Sequence, residues 1–191
     1  VRKIRIILFL FLTALLFSCS GKYTPKPRGY FRISFPEKTY TPLDSAGLPY
    51  SFDIPTYAKV CPDADKTAEP FWINISVPAN NAEIHISYKK VANNLKQLTE
   101  DSHTLAYKHT VKASAIDEQL FVNPQNKVFG TIYFIDGNAA SPIQFFLTDS
   151  TRHFLRGALY IREVPNIDSV RPVIDFLKPD IIRLIESTQW K

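Results

Sequence analysis

Eight short segments of this chain carry strand-type apolar patterning, and that restricts its fold more than any other feature. Ile84, Ile86 and Tyr88 alternate with His85 and Ser87, and 50–54 and 72–77 read the same way. Phe31, Ile33 and Phe35 against Arg32 and Ser34 predict an opening strand over 30–35 that stops at Pro36. Prolines 36, 42, 49, 55, 62, 70 and 78 bound these segments, which assigns them to connections where a missing N–H disturbs no ladder. Further along, 111–120, 127–135, 143–147 and 153–161 are joined by short links at 136–142 and 148–152, the spacing of an antiparallel meander.

Two stretches change to a helical period. Leu95, Leu98, Ser102, Leu105 and Ala106 share one face of a helix over 94–107, and Asn94 with Gln97 has capping-box spacing. Over 169–188, Val170, Val173, Ile174, Leu177, Ile181, Leu184 and Ile185 form a stripe with Pro179 opposite it. A proline on the solvent side predicts a bend in one helix, with two consecutive helices as the alternative. Helices laid on a largely antiparallel sheet make an α+β fold, and no internal repeat divides it, so 30–191 reads as a single domain.

The first 18 residues stand apart. Arg2, Lys3 and Arg5 precede an apolar run over 6–17, shorter than the roughly 20 residues a spanning helix needs. This is the layout of a secretory signal. Leu16-Phe17-Ser18-Cys19 places an aliphatic residue three positions before a cysteine and a small one just before it, which resembles a bacterial lipobox. Cys19 is then expected to be acylated, palmitate included, and to become the N-terminus after cleavage; the alternative is a plain signal with a chance cysteine. Each buried CH₂ contributes ~0.8 kcal/mol, so two or more chains make a stable membrane anchor. Residues 19–29 are the lipidated end and a linker stiffened by Pro25 and Pro27. The stretch 20–28 reaches only about 30 Å, which keeps the domain near the headgroups. By enterobacterial analogy, Ser20 rather than aspartate permits outer-membrane sorting. The lack of an acidic run behind Cys19 argues against surface export and for a domain in the periplasm.

Arg2, Lys3 and Arg5 account for three of the 23 basic residues, leaving 20 against 18 acidic ones, and the formal net charge drops from +5 to +2. Mixed charges without a basic stripe give no reason to expect nucleic acid. Once Cys19 is lipidated, Cys61 is the one remaining thiol and no internal disulfide can form. The 173 residues from Cys19 onward must then rely on a core, and a domain of that size buries roughly 70% of its unfolded surface. Cys61 precedes Pro62 in a polar stretch and reads as an ordinary free thiol in a loop.

Asp149, Ser150 and His153, with Ser141 as a second nucleophile, are the letters of a hydrolase, but a tight hairpin over 149–152 explains them through turn chemistry. There is no Gly-x-Ser-x-Gly elbow and no glycine-rich phosphate loop, so no catalytic residues and no cofactor are expected. Histidines 85, 103, 109 and 153 form no metal-binding motif, so no metal is expected. His109 reads as a hydrogen-bonded residue at the core edge, near a helix C-terminus that favours its charged form. Polar residues crowd the meander: Asn138, Ser141, Gln144, Asp149, Arg152, His153 and Arg156, interleaved with Phe145, Phe146, Phe154 and Tyr160. Such a mixture suits a partner-binding face, and equally a sheet that is simply polar on its outer side.

Three runs carry a resemblance: Tyr107-Lys108-His109-Thr110-Val111-Lys112-Ala113; Gly137-Asn138-Ala139-Ala140-Ser141-Pro142-Ile143-Gln144-Phe145; and Thr148-Asp149-Ser150-Thr151-Arg152-His153-Phe154-Leu155-Arg156-Gly157. With the lipobox, Pro25 to Tyr30 and Tyr57 to Val60, they resemble the gliding motility lipoprotein GldD family over essentially the whole mature chain. The resemblance implies an envelope lipoprotein with no enzymatic activity, needed for gliding and the associated type IX secretion machinery, whose partners are other proteins of that apparatus. The order of elements is also similar to a PsbP-like α/β/α sandwich, which says little about function. A periplasmic module or chaperone that binds a peptide or small ligand is the alternative, and a hydrolase a distant third.

Overall fold

Seven strands form the main sheet: β3 (Lys59–Pro62), β4 (Ile73–Val77), β5 (Ala82–Lys90), β6 (Ala113–Asn123), β7 (Val128–Gly137), β8 (Ile143–Thr148) and β9 (His153–Ile161). Their order across the sheet is β3-β4-β5-β9-β8-β7-β6, and every neighbouring pair is antiparallel. A second sheet of three strands has β2 (Tyr50–Pro55) at its centre, flanked by β1 (Tyr40–Leu43) and β10 (Gln189–Trp190). Two helices complete the fold, α1 (Leu95–Tyr107) and α2 (Ile167–Ser187). The computed structural model describes residues 2–4, 29, 32–164 and 166–191, and contacts group the chain into two units, Val1–Arg32 and Ile33–Lys191. Cys19, linker residues 20–28 and Tyr30 with Phe31 lie outside the described residues.

Strand alternation sends apolar side chains to both faces of the main sheet. One face joins Ile75, Ile84, Ile86, Ile132, Phe145, Leu147, Leu155 and Leu159 to Val173, Leu177, Ile181, Leu184 and Ile185 of α2, with Tyr50 and Phe52 of β2. The opposite face joins Tyr133, Ile135, Phe146 and Phe154 to Leu98 and Ala106 of α1. The architecture is therefore α+β, the class the periodicity predicts, with one helix on each side of the antiparallel main sheet. On the α2 side, Phe145 fills the space beside Gly157, its register partner across β8 and β9. A Cβ on Gly157 would fall 2.2 Å from the Phe145 ring, so only glycine lets that ring lie flat.

Several expectations are corrected. Residues 32–39 form no strand; the first strand starts at Tyr40 and contains Pro42, which an edge strand tolerates because one side of its backbone faces no partner. Cys61 is not in a loop but in β3, at the edge of the main sheet, exposed, with its thiol directed to the Asn74 carbonyl at 3.7 Å. The capping box over 94–97 does not form. Asn94 Oδ1 accepts the Ala92 N–H at 2.8 Å, and Gln97 reaches forward to Asp101. Leu105 is 37% exposed, because α1 rests on the sheet through Leu98, Ser102 and Ala106. The closing helix runs unbroken through Pro172 and Pro179, both exposed, and its stripe is buried at five of the seven expected positions, with Val170 and Ile174 half-buried.

Candidate functional site

The polar residues of the meander do not assemble into one surface; strand geometry sends them to three places. At one end of β8 lies the loop after β7, where Gly137 adopts φ +100° and its missing side chain lets the chain pass the bulge at Ala113 and Ala115. A Cβ there would sit 2.8 Å from the Ser114 nitrogen. Asn138 is exposed, but its Oδ1 accepts the N–H of Ile167 at 2.9 Å and so caps α2 from a distant part of the chain. Ser141, three residues on, is fully buried with no hydrogen-bond partner for its hydroxyl. It cannot contribute to a surface.

At the other end of β8, the hairpin turn consumes the catalytic letters. Asp149 Oδ1 accepts backbone N–H groups from Thr151 at 3.0 Å and from Arg152 and His153 at 2.8 Å, while the Thr151 hydroxyl donates to Oδ2. Burial alone would raise the Asp149 pKa, but the donors from His153, Arg152 and Thr151 outweigh it and hold the carboxyl at about 2. Ser150 takes φ +65° and donates its N–H to Thr148 Oγ1, as a turn residue does. His153 is 6% exposed; its ring stacks on Trp190 with centroids 5.2 Å apart, and Nδ1 bonds the Tyr88 hydroxyl at 2.8 Å. Burial lowers its pKa, partly offset by Asp149, and so disfavours the charged form of the ring. Among the described residues no serine bonds His153, so these residues make a turn and an aromatic plug rather than a triad. Of the partner-binding candidates at this end, Arg152 is the one that is exposed.

A lowered carboxyl pKa has a signed consequence. The stabilisation from Asp149 is present in full above the unfolded carboxyl value near 4 and is lost as pH falls through about 2. Asp149→Asn should therefore lower thermal stability at pH 7 and flatten its acid dependence between about pH 4 and 2. A melting series across that range checks this.

The third place is the middle of the sheet face that carries α1, beyond the helix's footprint. There β5 and β9 present alternate polar side chains: Arg162 pairs with Glu83, His85 Nε2 lies 3.3 Å from Glu83, and the His85 ring meets Tyr160 edge-on. Next along is Arg156, partly buried, which donates to Gln144 Oε1 at 2.5 Å. Gln144 is 1% exposed, and its Nε2 has no partner. His109, in the 3-10 turn after α1, has its pKa lowered by burial and by the nearby Arg156 guanidinium, which corrects the charged form expected at that helix end. Of the seven candidates this face brings together only Gln144 and Arg156.

Sequence reading missed one cluster. Asp180 is 1% exposed on the buried side of α2, where its carboxylate accepts Lys38 Nζ at 2.7 Å, the Tyr40 hydroxyl at 2.8 Å and the Tyr57 hydroxyl. Lys38 also donates to the Phe176 carbonyl at 2.6 Å and lies over the Phe176 ring. The signal was available: Asp180 falls three residues after Leu177 and four before Leu184, on the apolar stripe itself. A carboxylate there requires donors from elsewhere.

The two largest grooves among the described residues are of a size that suits a small ligand. One of about 520 Å³ lies at the start of α2, lined by Ile33, Asn80, Asn81, Glu163, Val164 and Val173 among others. Another, of about 490 Å³, runs between α1 and the sheet, past Thr99, His103, Thr131, Tyr133 and Phe146. Among the described residues no cluster of three metal-ligating side chains is present, and no helix is long and apolar enough to cross a membrane.

Comparison with solved structures finds similarity to the solution structure of cyanobacterial PsbP (CyanoP) from Synechocystis sp. PCC 6803, at 9% identity and a TM-score of 0.48, covering 87% of this chain and 98% of that one. No curated protein matches the chain. The sequence profile described as gliding motility lipoprotein GldD matches residues 20–190, nearly the whole length behind Cys19. The chain belongs to the gliding motility lipoprotein GldD family.

Proposed function

We propose that this protein is a non-enzymatic assembly component of the gliding motility and type IX secretion machinery, docking partner proteins while acylated Cys19 holds it at the outer membrane with its domain in the periplasm. The observation that carries the reading is the family match over 20–190, which begins at the residue after Cys19. The turn bonding of Asp149 supports a non-catalytic role, since the carboxylate a triad would need is already committed to the backbone N–H groups of Arg152 and His153. The test is affinity capture of the acylated protein from gently solubilised envelope. Recovery of secretion or motility components in stable ratio supports docking; a protein that captures none of them while a strain lacking it still glides overturns it.

Cys19→Ala should block acylation and leave the precursor uncleaved or mislocalised, and gliding should fail with it. Membrane retention together with metabolic acyl labelling of that variant would remove the lipobox reading.

One observation favours the ligand-binding alternative. Asn80, 8% exposed at the wall of the 520 Å³ groove, has a buried Oδ1 with no partner, so it could accept a hydrogen bond from a bound amide or amine. Ser169 of α2 also lines this groove, and filling it by Ser169→Phe should leave gliding intact under the docking reading and abolish it under this one.

A further inference from the structure

We infer that Arg156, with Gln144, Tyr160 and His109 around it, is a receptor for a carboxylate side chain of a partner protein; this deepens the docking reading and rests on it. The argument starts from charge pairing. Among the described residues the partly buried lysines have found anions, Lys38 with Asp180 and Lys89 with Glu69, and the unpaired cations other than Arg156 are exposed to water, which solvates their charge. Arg156 is the exception, a cation that is partly buried and yet unpaired among the described residues. Among the described residues no carboxylate lies within 4.0 Å of it, although burial disfavours its charge and lowers its pKa. Its supports are neutral, namely the Gln144 carbonyl oxygen and the Tyr160 hydroxyl.

A guanidinium has five N–H donors in a planar fork, and two neutral acceptors, on Gln144 and Tyr160, leave the others unspent. The second unspent donor is Gln144 Nε2, because the amide has turned its oxygen toward Arg156. Arg156 therefore offers the reachable donors and one uncompensated positive charge, with solvent still reaching it, while Gln144, 1% exposed, holds the guanidinium from the adjacent strand beneath. A carboxylate supplies the matching single negative charge and the two acceptor atoms that fit the fork. His109 does not add a second cation, since burial and Arg156 both push it toward the neutral form. That distinguishes the site from one built for a doubly charged phosphate. A carboxylate borne by a protein segment would also meet the flanking Tyr160 and His85 rings on the same face, aromatic surface of the kind that anchors an interface.

The test uses the full acylated chain in detergent micelles with ¹⁵N-labelled arginine and glutamine. The probes are a short neutral peptide with one central glutamate, the same peptide with glutamine, and inorganic phosphate, all at constant ionic strength. The glutamate peptide is expected to shift the Arg156 Nε and Gln144 Nε2 resonances saturably, and the glutamine peptide to leave them unmoved. The double variant Arg156→Met/Gln144→Leu, which replaces both polar groups by apolar ones of similar size, should lose binding by at least about tenfold, because a bond to a charged group is at stake. It should melt no lower than the parent, because an unpaired buried charge has been removed. Arg156→Lys keeps the charge without the fork and should bind more weakly than the parent. Shifts with phosphate that match or exceed those with glutamate, equal binding by the double variant, or a double variant that melts lower or fails to fold would each overturn the proposal. If peptide binding is lost while envelope capture is unchanged, docking stands and this receptor falls. If the parent binds the peptide but captures nothing, the carboxylate site stands and the docking reading falls.

Discussion

Asp180→Ala is expected to destabilise the domain by about 3 kcal/mol, at the lower end of what breaking a buried ion pair costs. The lower end applies because the Lys38 side chain keeps 28% exposure and can rehydrate its charge, whereas Asp180 at 1% cannot. The loss has three parts: Lys38 loses its counter-ion, and the Tyr40 and Tyr57 hydroxyls each lose an acceptor. These groups come from 38–40 and from the turn after β2, so one carboxylate fastens two separate pieces of chain to α2. Phe35 stacked on Phe176 at 4.3 Å adds an apolar contact to the same junction. Urea unfolding should show a lower midpoint with an unchanged slope. A change below about 1 kcal/mol would mean that the cluster's desolvation cancels its attraction.

The same cluster sets an alkaline limit. Burial, then the bond to Asp180, raises the Tyr40 pKa to about 12 and raises that of Tyr57 as well. Both phenols bind their protons more firmly folded than unfolded, so their contribution is whole below pH 10 and is lost as pH rises toward about 12. Asp180→Ala should remove part of that dependence.

What sequence could reveal depends on whether a residue's role is local. The strands from Ala82 to Lys90 and from Val128 to Ile161 are legible because each apolar face is written in consecutive alternating positions. The stripe of α2 is legible for the same reason. β10 is two residues long and β3 is exposed at all four positions, so neither has a buried face to advertise. The opening strand expected over 30–35 has an alternating pattern, yet 32–39 forms none, and the sheet pairing falls instead to Tyr40–Leu43. Periodicity reports which residues can alternate, not which neighbour is present to bond them.

The candidate site was harder to read, because a polar letter does not say whether its bonds point inward. Asn138 binds a helix start 29 residues away, and Asp149 binds its own turn; both look alike in sequence to a surface group. Gln144 occupies a strand position whose neighbours on the sheet are Ala158 and Tyr133, and there it is buried. Arg156 became interesting only when its surroundings were known, since the absence of a nearby carboxylate is a property of three dimensions.

Leu177→Ala should be the most damaging single truncation in α2. Leu177 is fully buried between neighbouring stripe residues Val173 and Ile181, in the cluster that joins the helix to both sheets. Removing its side chain deletes contacts that no solvent can replace, and the cost expected is about 2–5 kcal/mol. For a domain of this size that corresponds to a fall in melting temperature of roughly 4–20 °C. Pro179→Ala is the matched control on the opposite, exposed side of the same helix. It restores an N–H to the helical ladder and adds a residue of higher helix propensity, so stability should stay level or rise. The contrast tests the buried face directly, because both changes leave alanine in the same helix two positions apart. If Pro179→Ala unfolds the domain while Leu177→Ala melts like the parent, α2 packs through the other side and the layer it forms over the sheet is wrongly oriented.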